Sequence, residues 1–190
     1  LPIKGSNGEW PNDNLYSMRM SDNGQFIAFI SEATNLVEND QNYTADVFLT
    51  DLINEETQIV SVSSSGTQGV YDANYPSING DGTRIVFHTL SSLDPNDTNN
   101  TFDVYMRDIT TGTTIWISAP QSDDTNQNSG ADDVKISADG KRVIFKSSTS
   151  HLGLQNVESS GFGNLFLWDE DTMAVTRVGL EIDEYIIGNT

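Results

Sequence analysis

The stretch Ser137-Ala138-Asp139-Gly140-Lys141-Arg142-Val143-Ile144-Phe145 decides the fold, because its pattern occurs three times in the chain. A polar turn with a central glycine followed by an apolar run also stands at Ser21 to Phe29 and at Asn79 to Phe87. The central glycines are at positions 24, 82 and 140, so successive copies lie 58 residues apart. A fixed spacing of this length indicates one supersecondary unit used repeatedly.

Each repeat is predicted to contain four short strands. The Asn-Gly or Asp-Gly turn joins a weak first strand to an apolar second strand and predicts a type I′ hairpin. The second strand, for example Arg142 to Phe145, is nearly all apolar, which predicts a strand covered on both faces. The third and fourth strands recur in step, at Asp46 to Leu52, Asp103 to Ile109 and Asn164 to Asp169, and at Gln58 to Val62, Thr114 to Ser118 and Val175 to Gly179.

These units predict an all-β protein built from β-propeller blades. Helical periodicity is absent over any useful length, and four-stranded units repeating at this spacing are typical of propellers. A stacked β-solenoid is the alternative, although its coils are usually shorter. We predict an N-terminal tail, three blades and a C-terminal tail, with boundaries at 1–14, 15–62, 63–120, 121–179 and 180–190.

Composition excludes several classes of partner. The 190 residues carry 28 Asp plus Glu against 9 Lys plus Arg, a formal net charge of −19. Such a chain repels nucleic acid, which needs a basic surface, and anionic membranes. Cys is absent, so disulfides and thiolate chemistry are excluded. No apolar run reaches the roughly 18 residues of a spanning helix, so membrane insertion is not expected. We expect a processed product without its leader.

The repeat resembles the TolB-like, or PD40, family of β-propeller proteins. The resemblance is carried by the S-x-D-G-x-x-[IV]-x-F pattern at Ser137 to Phe145 and by the D-V-[FY]-x-x-D-[LI] strand at Asp46 to Leu52 and Asp103 to Ile109. A Leu-x-x-x-Asp-x-Asn insertion before that strand, at Leu36 and Leu93, is typical of secreted bacterial members. The resemblance implies a propeller located outside the cytoplasm, extracellular, at the cell surface or periplasmic. It implies little about activity, because the repeat is a scaffold for many tasks.

The sharpest candidate site is an acidic loop that occurs in two of the three repeats. Hard oxygen ligands at alternate loop positions suit Ca²⁺, whereas the alternative is a purely structural role in which the same side chains hydrogen-bond the loop backbone. The third repeat replaces this motif at 151–158 and is not expected to share its role. The predicted calcium ligands are Asp40, Asn42 and Asp46 in one loop, and Asp97, Asn99 and Asp103 in the other. Asn42, Asn96 and Asn99 also begin glycosylation sequons.

Catalysis has little support in the sequence. His88, placed just beyond a buried strand, and His151 are the two histidines, and neither has a neighbour at metal-ligand spacing. No G-x-S-x-G motif accompanies them. Trp116 and Trp168 lie inside strands and are expected to pack in the core, which leaves Trp10 as the tryptophan free to stack on a sugar.

Three blades do not close a propeller, which needs roughly four to eight. The chain is therefore expected to be part of a longer propeller, to pair with a second copy into a six-bladed ring, or to join copies head to tail. We predict a non-catalytic extracellular module for self-assembly or surface binding. The alternatives are a propeller fragment of a larger hydrolase or peptidase and a glycan-binding protein. Strand exchange by the C-terminal tail is predicted to use Leu180, Ile182, Tyr185, Ile186 and Ile187.

Overall fold

The computed structural model of the protein describes residues 3–120, 131–147 and 164–178. Within these ranges the chain forms twelve β-strands and no helix. In order they are β1 Leu15–Met20, β2 Phe26–Ser31, β3 Asp46–Asp51, β4 Glu56–Ile59, β5 Ala73–Ile78, β6 Arg84–Thr89, β7 Asp103–Asp108, β8 Thr113–Trp116, β9 Ala131–Ile136, β10 Arg142–Ser147, β11 Asn164–Asp169 and β12 Ala174–Val178. No helix in this part of the chain is long and apolar enough to cross a bilayer.

The strands form three antiparallel sheets of four, each an up-and-down meander. We call them the first, second and third blades: β1 to β4, β5 to β8 and β9 to β12. The second strand of each blade pairs with the first on one side and with the third on the other. The predicted all-β fold of three four-stranded blades is confirmed, and the ring that they begin is incomplete.

Two apolar layers hold the three blades face to face. One joins the first and second blades through residues such as Ile30, Leu49, Ile85 and Phe87. The other joins the second and third blades around Val86, Met106, Phe145 and Trp168. Alternate residues of a strand point to opposite faces of its sheet, so Val86 and Phe87 face different neighbours. Burial of these side chains is the main source of stability between blades.

Stacked aromatic rings mark the same face of each blade. The ring centroids of Phe29 and Phe48 lie 5.8 Å apart in the first blade. Phe87 with Tyr105 and Phe145 with Phe166 repeat the arrangement at 6.3 and 5.8 Å in the next two. In the second and third blades this face packs against the preceding blade.

The turn between the first two strands differs from the predicted type I′ hairpin. Only the glycines of these turns have positive φ, 71° at Gly24, 81° at Gly82 and 74° at Gly140, whereas a type I′ turn needs two such residues. The Ser21 N–H instead bonds to the Phe26 carbonyl, and Gly24 N–H bonds back to the Ser21 carbonyl. The loop is therefore four residues long, and a single left-handed glycine closes it.

The fourth strand is shorter than the sequence predicted. β4 ends at Ile59 and β8 at Trp116, before Ser61 and Ser118. The Ser61 hydroxyl accepts the Val47 N–H at 3.1 Å, and the Ser118 hydroxyl accepts the Val104 N–H at 3.0 Å. A side chain thus replaces the backbone carbonyl that would continue the ladder.

The two ends of the arc are covered unequally. Residues 3–12 lie against the outer side of the first blade, where Ile3 packs beside Phe29 and Phe48. They are tied to the β2–β3 loop because Ser6 N–H bonds to the Asn35 carbonyl and the Asn35 amide bonds to the Trp10 carbonyl, both at 2.9 Å. This segment covers the face on which a preceding blade would otherwise pack.

The outer face of the third blade has no such cover among the described residues. β10 alternates exposed and buried residues: Val143 and Phe145 are buried, while Arg142, Ile144 and Lys146 are exposed. The prediction that this strand is covered on both faces is therefore wrong. Burial on both faces, as in β2 and β6, depends on a blade packed on each side.

Candidate functional site

The first acidic loop places its strand-end carboxylate at the centre of a hydrogen-bond cluster. Asp46 is fully buried at the start of β3. It accepts hydrogen bonds from the Ser61 hydroxyl and, at 2.7 Å, from the Asn42 side-chain amide. Asn42 also donates to the Gly69 carbonyl at 3.0 Å. Asp40 lies at the edge of the cluster and accepts a weak bond from Gln68.

The second loop repeats this arrangement with one added donor. Asp103 is buried at the start of β7 and accepts hydrogen bonds from the Ser118 hydroxyl and from Nε1 of Trp116, both at 2.6 Å. Asn99 is a further hydrogen-bond partner of this carboxylate. Asp97 accepts the hydroxyl of the buried Tyr105. The loops therefore bring their six predicted residues together around two buried carboxylates.

Burial dominates the electrostatics of both clusters. Desolvation raises the pKa of Asp46 to about 6, and the bonds from Ser61 and Asn42 offset only part of that rise. The pKa of Asp103 is raised to about 6 for the same reason. Burial also raises the pKa of Asp40 and of Asp97. Each cluster is thus a place where a neutral acid or a compensating cation would be favoured.

Calcium binding in these loops stays a prediction. Both oxygens of Asp46 already accept hydrogen bonds from protein donors, which is the structural role left open from the sequence. Among the residues that the structure describes, no group of three or more His, Cys, Asp or Glu is arranged to hold a metal ion. A calcium ion bound to Asp46 would use the remaining lone pairs of these oxygens or replace one of the two donors.

Ser61 and Ser118 are site residues that sequence reasoning missed. They lie 15 residues after Asp46 and Asp103, beyond the end of the fourth strand, so no local motif includes them. The repeat could have revealed them, because each serine follows the fourth strand at the same distance from the loop aspartate. The third repeat has Asn164 and Gly179 at these positions, so the Asp–Ser bond is absent there.

The first strand of every blade carries a β-bulge at the same repeat position. Two residues of the first strand there face a single phenylalanine of the second strand. One of the two adopts a left-handed backbone: Ser17 with φ 54°, Tyr75 with φ 54° and Asp133 with φ 50°. Such φ values are costly for residues other than glycine. Their recurrence at a spacing of 58 residues shows that the bulge belongs to the repeat.

His88 lies inside β6 and not beyond a buried strand as predicted. Its ring packs edge-on against Tyr75 at 4.8 Å and stacks on Phe102 at 5.0 Å. His151 lies outside the described residues. Trp116 and Trp168 are buried as expected, whereas Trp10 is exposed and carries the Lys4 ammonium over its ring at 3.4 Å.

Basic and apolar side chains share the open face of the third blade. Strand register places Lys135 and Leu167 on either side of Ile144, and Leu165 opposite Lys146. Ionic bonds join Lys146 to Asp133 and Arg142 to Asp169. The predicted exchange residues Leu180, Ile182, Tyr185, Ile186 and Ile187 lie outside the described residues, as does the loop at 151–158.

The chain is similar in structure to known β-propellers. TolB from Acinetobacter baumannii matches with a TM-score of 0.51 and 18% identity, covering 94% of this chain and 37% of that one. A putative TolB from Agrobacterium tumefaciens gives 0.55 and 16% identity, over 94% of this chain and 50% of that one. The β-propeller domain of the Trilobed protease from Pyrococcus furiosus is described as having an open velcro topology. It matches with a TM-score of 0.52 and 14% identity, covering 86% of this chain and 41% of that one.

At these identities the likeness shows the fold alone, a β-propeller arrangement. The chain spans between about a third and a half of the length of those three structures. No protein-family model matches the chain. No curated protein matches it either.

Proposed function

We propose that this chain is a non-catalytic β-propeller module that associates head to tail with further copies of itself. One repeat position carries the proposal. Ala28 and Val86 are 0% exposed because the next blade covers them, whereas Ile144, 58 residues further on, is 38% exposed. Among the residues that the structure describes, no element covers the face of the third blade that its two counterparts bury, and a second copy of the chain would cover it.

The opposite end of the arc is the proposed partner surface. The N-terminal segment and the β3–β4 turn border a hollow of about 580 Å³ on the first blade. Apolar Phe26, Leu36, Val37 and Leu49 line it, together with the carboxylates of Asp51, Glu38, Glu55 and Glu56 and a single lysine, Lys4. This surface is concave and acidic.

The two ends differ in charge. Lys135, Arg142 and Lys146 all lie on the open face of the third blade, where Asp169 pairs with Arg142 and Asp133 with Lys146, so this face is mixed in charge and not acidic like the first-blade end. Two copies of a −19 chain repel each other over most of their surfaces, so contact is favoured where a face that carries cations meets an acidic one. A contact between different surfaces is heterologous, and it gives a ring if it closes and a filament if it does not.

A location outside the cytoplasm belongs to the same proposal. The loop insertions at Leu36 and Leu93 support it, because they are typical of secreted members of the family that the repeat resembles. The alternative is a propeller domain of a larger hydrolase or peptidase. A hydrolase domain encoded in the same gene would favour it, whereas the proposed module requires no such domain.

Native mass measured by sedimentation velocity tests the proposal. We expect species larger than the 20.8 kDa monomer at micromolar concentration, dissociating as salt is raised because the contact is partly ionic. Ile144→Asp should give a monomer. Met18→Asp is the control, since Met18 is also an exposed apolar residue but belongs to β1 of the first blade and not to the open face. A monomer at every concentration and salt would exclude the proposal.

A further inference from the structure

A hollow of about 190 Å³ lies at the boundary between the first two blades, away from both end faces of the arc. Its wall comes from the loop before β3, the segment that leads into β5 and the loop before β7. The residues that give it its character are Thr44, Val70, Tyr71, Asp72 and Phe102. The proposed self-association uses none of them.

The hollow has aromatic walls that the fold leaves in contact with solvent. Tyr71 is 55% exposed and Phe102 is 39% exposed, although both are large apolar side chains next to a well-packed core. Phe102 is held in place because its ring stacks on that of His88, which in turn packs against Tyr75. Tyr75 has the left-handed backbone of the bulge, so a strained position supports this row of rings.

Two polar groups of the hollow have unused acceptor capacity, and a third lining residue, Asn74, carries an amide that can donate or accept. Asp72 accepts the Ala45 N–H at 3.0 Å through Oδ1, and among the described residues no donor reaches its second oxygen. Thr44 Oγ1 is buried in the wall and has no hydrogen-bond partner, the one such side-chain atom in the part of the chain described. No Lys, Arg or His lines the hollow.

We propose that this hollow binds a primary alkylammonium group. The ammonium N–H groups would donate to Asp72 and Thr44, and the alkyl chain would lie on the faces of Tyr71 and Phe102, which attract a cation through their ring quadrupoles. The volume fits a short chain with its head group. The negative field of the whole molecule raises the local concentration of any cation. The ligand is either a free amine or the lysine side chain of a peptide.

A neutral sugar suits the hollow less well. A sugar ring needs donors and acceptors around its edge, and the Asn74 amide is one such group, but the one charged group of the lining is a carboxylate without a basic neighbour, which favours a cation. An anionic ligand would be repelled. The carboxylate, the orphaned hydroxyl and the aromatic faces together fit a cation with an apolar stem.

Titration followed by two-dimensional amide NMR tests the proposal, with n-butylammonium, an acetylated Gly-Lys-Gly peptide, n-butanol and glucose as probes in 150 mM NaCl. We expect saturable shifts at residues 44, 70–74 and 102 for the amine and the peptide. n-Butanol and glucose should bind at least tenfold more weakly. The tighter of the two cationic probes identifies the source of the ligand. Equal binding of n-butanol, or tighter binding of glucose, would overturn the proposal.

Substitutions locate the site. Asp72→Asn keeps an acceptor for the Ala45 N–H and should weaken n-butylammonium binding about tenfold or more. Phe102→Ala and Tyr71→Ala should each weaken it about threefold to tenfold. Tyr43→Ala is the matched control, because Tyr43 is a more exposed tyrosine outside the lining, and it should leave affinity unchanged. Unchanged affinity in Asp72→Asn would show that the amine is only a counterion of an acidic protein.

Discussion

The hydroxyl of Ser118 lies 2.6 Å from Oδ1 of Asp103 and at the same time accepts the backbone N–H of Val104. Ser61 makes the same two bonds with Asp46 and Val47 in the preceding blade. One small side chain therefore joins the beginning of the third strand to the second residue after the fourth. It also donates a hydrogen bond to the buried carboxylate, which lowers the free-energy cost of burying that group.

Removal of this serine should destabilise its blade. Ser118→Ala leaves the Val104 N–H without its acceptor and Asp103 with one donor fewer, so we expect a loss of about 1–3 kcal/mol in the free energy of unfolding. Urea denaturation measures it. Ser65→Ala, at an exposed turn, is the control and should change stability by less than about 0.5 kcal/mol. Equal effects of the two changes would contradict the role given to Ser118.

Stability should fall as pH rises from about 4 to about 6. Asp46 and Asp103 have folded pKa values of about 6 against an ordinary value of 3.8, so in this range the native state binds more protons than the unfolded state. Their contribution is full below pH 3.8, is lost through the folded pKa and is constant above it. Each accounts for on the order of 2–3 kcal/mol. Urea denaturation at several pH values measures the slope.

Other aspartates determine how far stability is maintained as the pH falls. Hydrogen bonds to Thr83 lower the pKa of Asp81, and that of Asp108 is also lowered, by the bond from the Thr111 N–H and by Arg84. Their stabilisation is present above the ordinary value of 3.8 and is lost below it. We therefore expect maximal stability near pH 4–5. The double change of Asp46 and Asp103 to Asn should flatten the slope between pH 4 and 6, and an unchanged slope would assign it to general charge repulsion.

The calcium prediction requires a gain in stability that depends on the ionised loop carboxylates. If calcium binds there, the melting temperature at pH 7.5 rises with millimolar Ca²⁺, returns with chelator and responds much less at pH 5, where Asp46 and Asp103 are largely protonated. Asp40→Asn should reduce the response, and Asp94→Asn, outside the predicted ligand set, should not. An unchanged melting temperature with calcium would leave the hydrogen bonds as the whole role of these loops.

Relief of the bulge strain should stabilise the first blade. Ser17 is exposed and has φ 54°, so Ser17→Gly removes the cost of a left-handed backbone while losing few contacts. We expect a gain of about 0.5–1 kcal/mol. Met18→Gly, at the adjacent residue without positive φ, should be destabilising by a similar amount. Thermal melting of the two variants measures these changes. Destabilisation by Ser17→Gly would show that the contacts of the Ser17 hydroxyl stabilise the blade by more than the left-handed backbone costs.

The repeat made the blades and their strand order predictable. A spacing of 58 residues and the alternation of apolar runs with Gly turns depend on local chemistry, so they can be read without a structure. The burial of β10 could not be read in this way. Its sequence resembles that of β2 and β6, and the difference arises because no described element covers Ile144.

The candidate site was predictable in part for a related reason. The loop aspartates are close in sequence to their neighbours in the acidic motif, and the structure brings these together. Ser61 reaches Asp46 only after the chain has crossed β3 and β4, so strand length and register decide that contact. The N-terminal cover depends on bonds such as Trp10 to Asn35, across 25 residues, for which no motif exists.

In the proposed assembly, the open face of the third blade packs on the acidic end of the first blade of another copy. A mixing experiment tests it most directly, because each variant loses one end. Ile144→Asp retains the first-blade end, and the double variant Glu55→Lys, Glu56→Lys retains the third-blade face. We expect each alone to sediment as a 20.8 kDa monomer and the mixture to form a one-to-one dimer and nothing larger. Dimerisation of the Glu55→Lys, Glu56→Lys variant by itself, or no complex in the mixture, would contradict the head-to-tail contact.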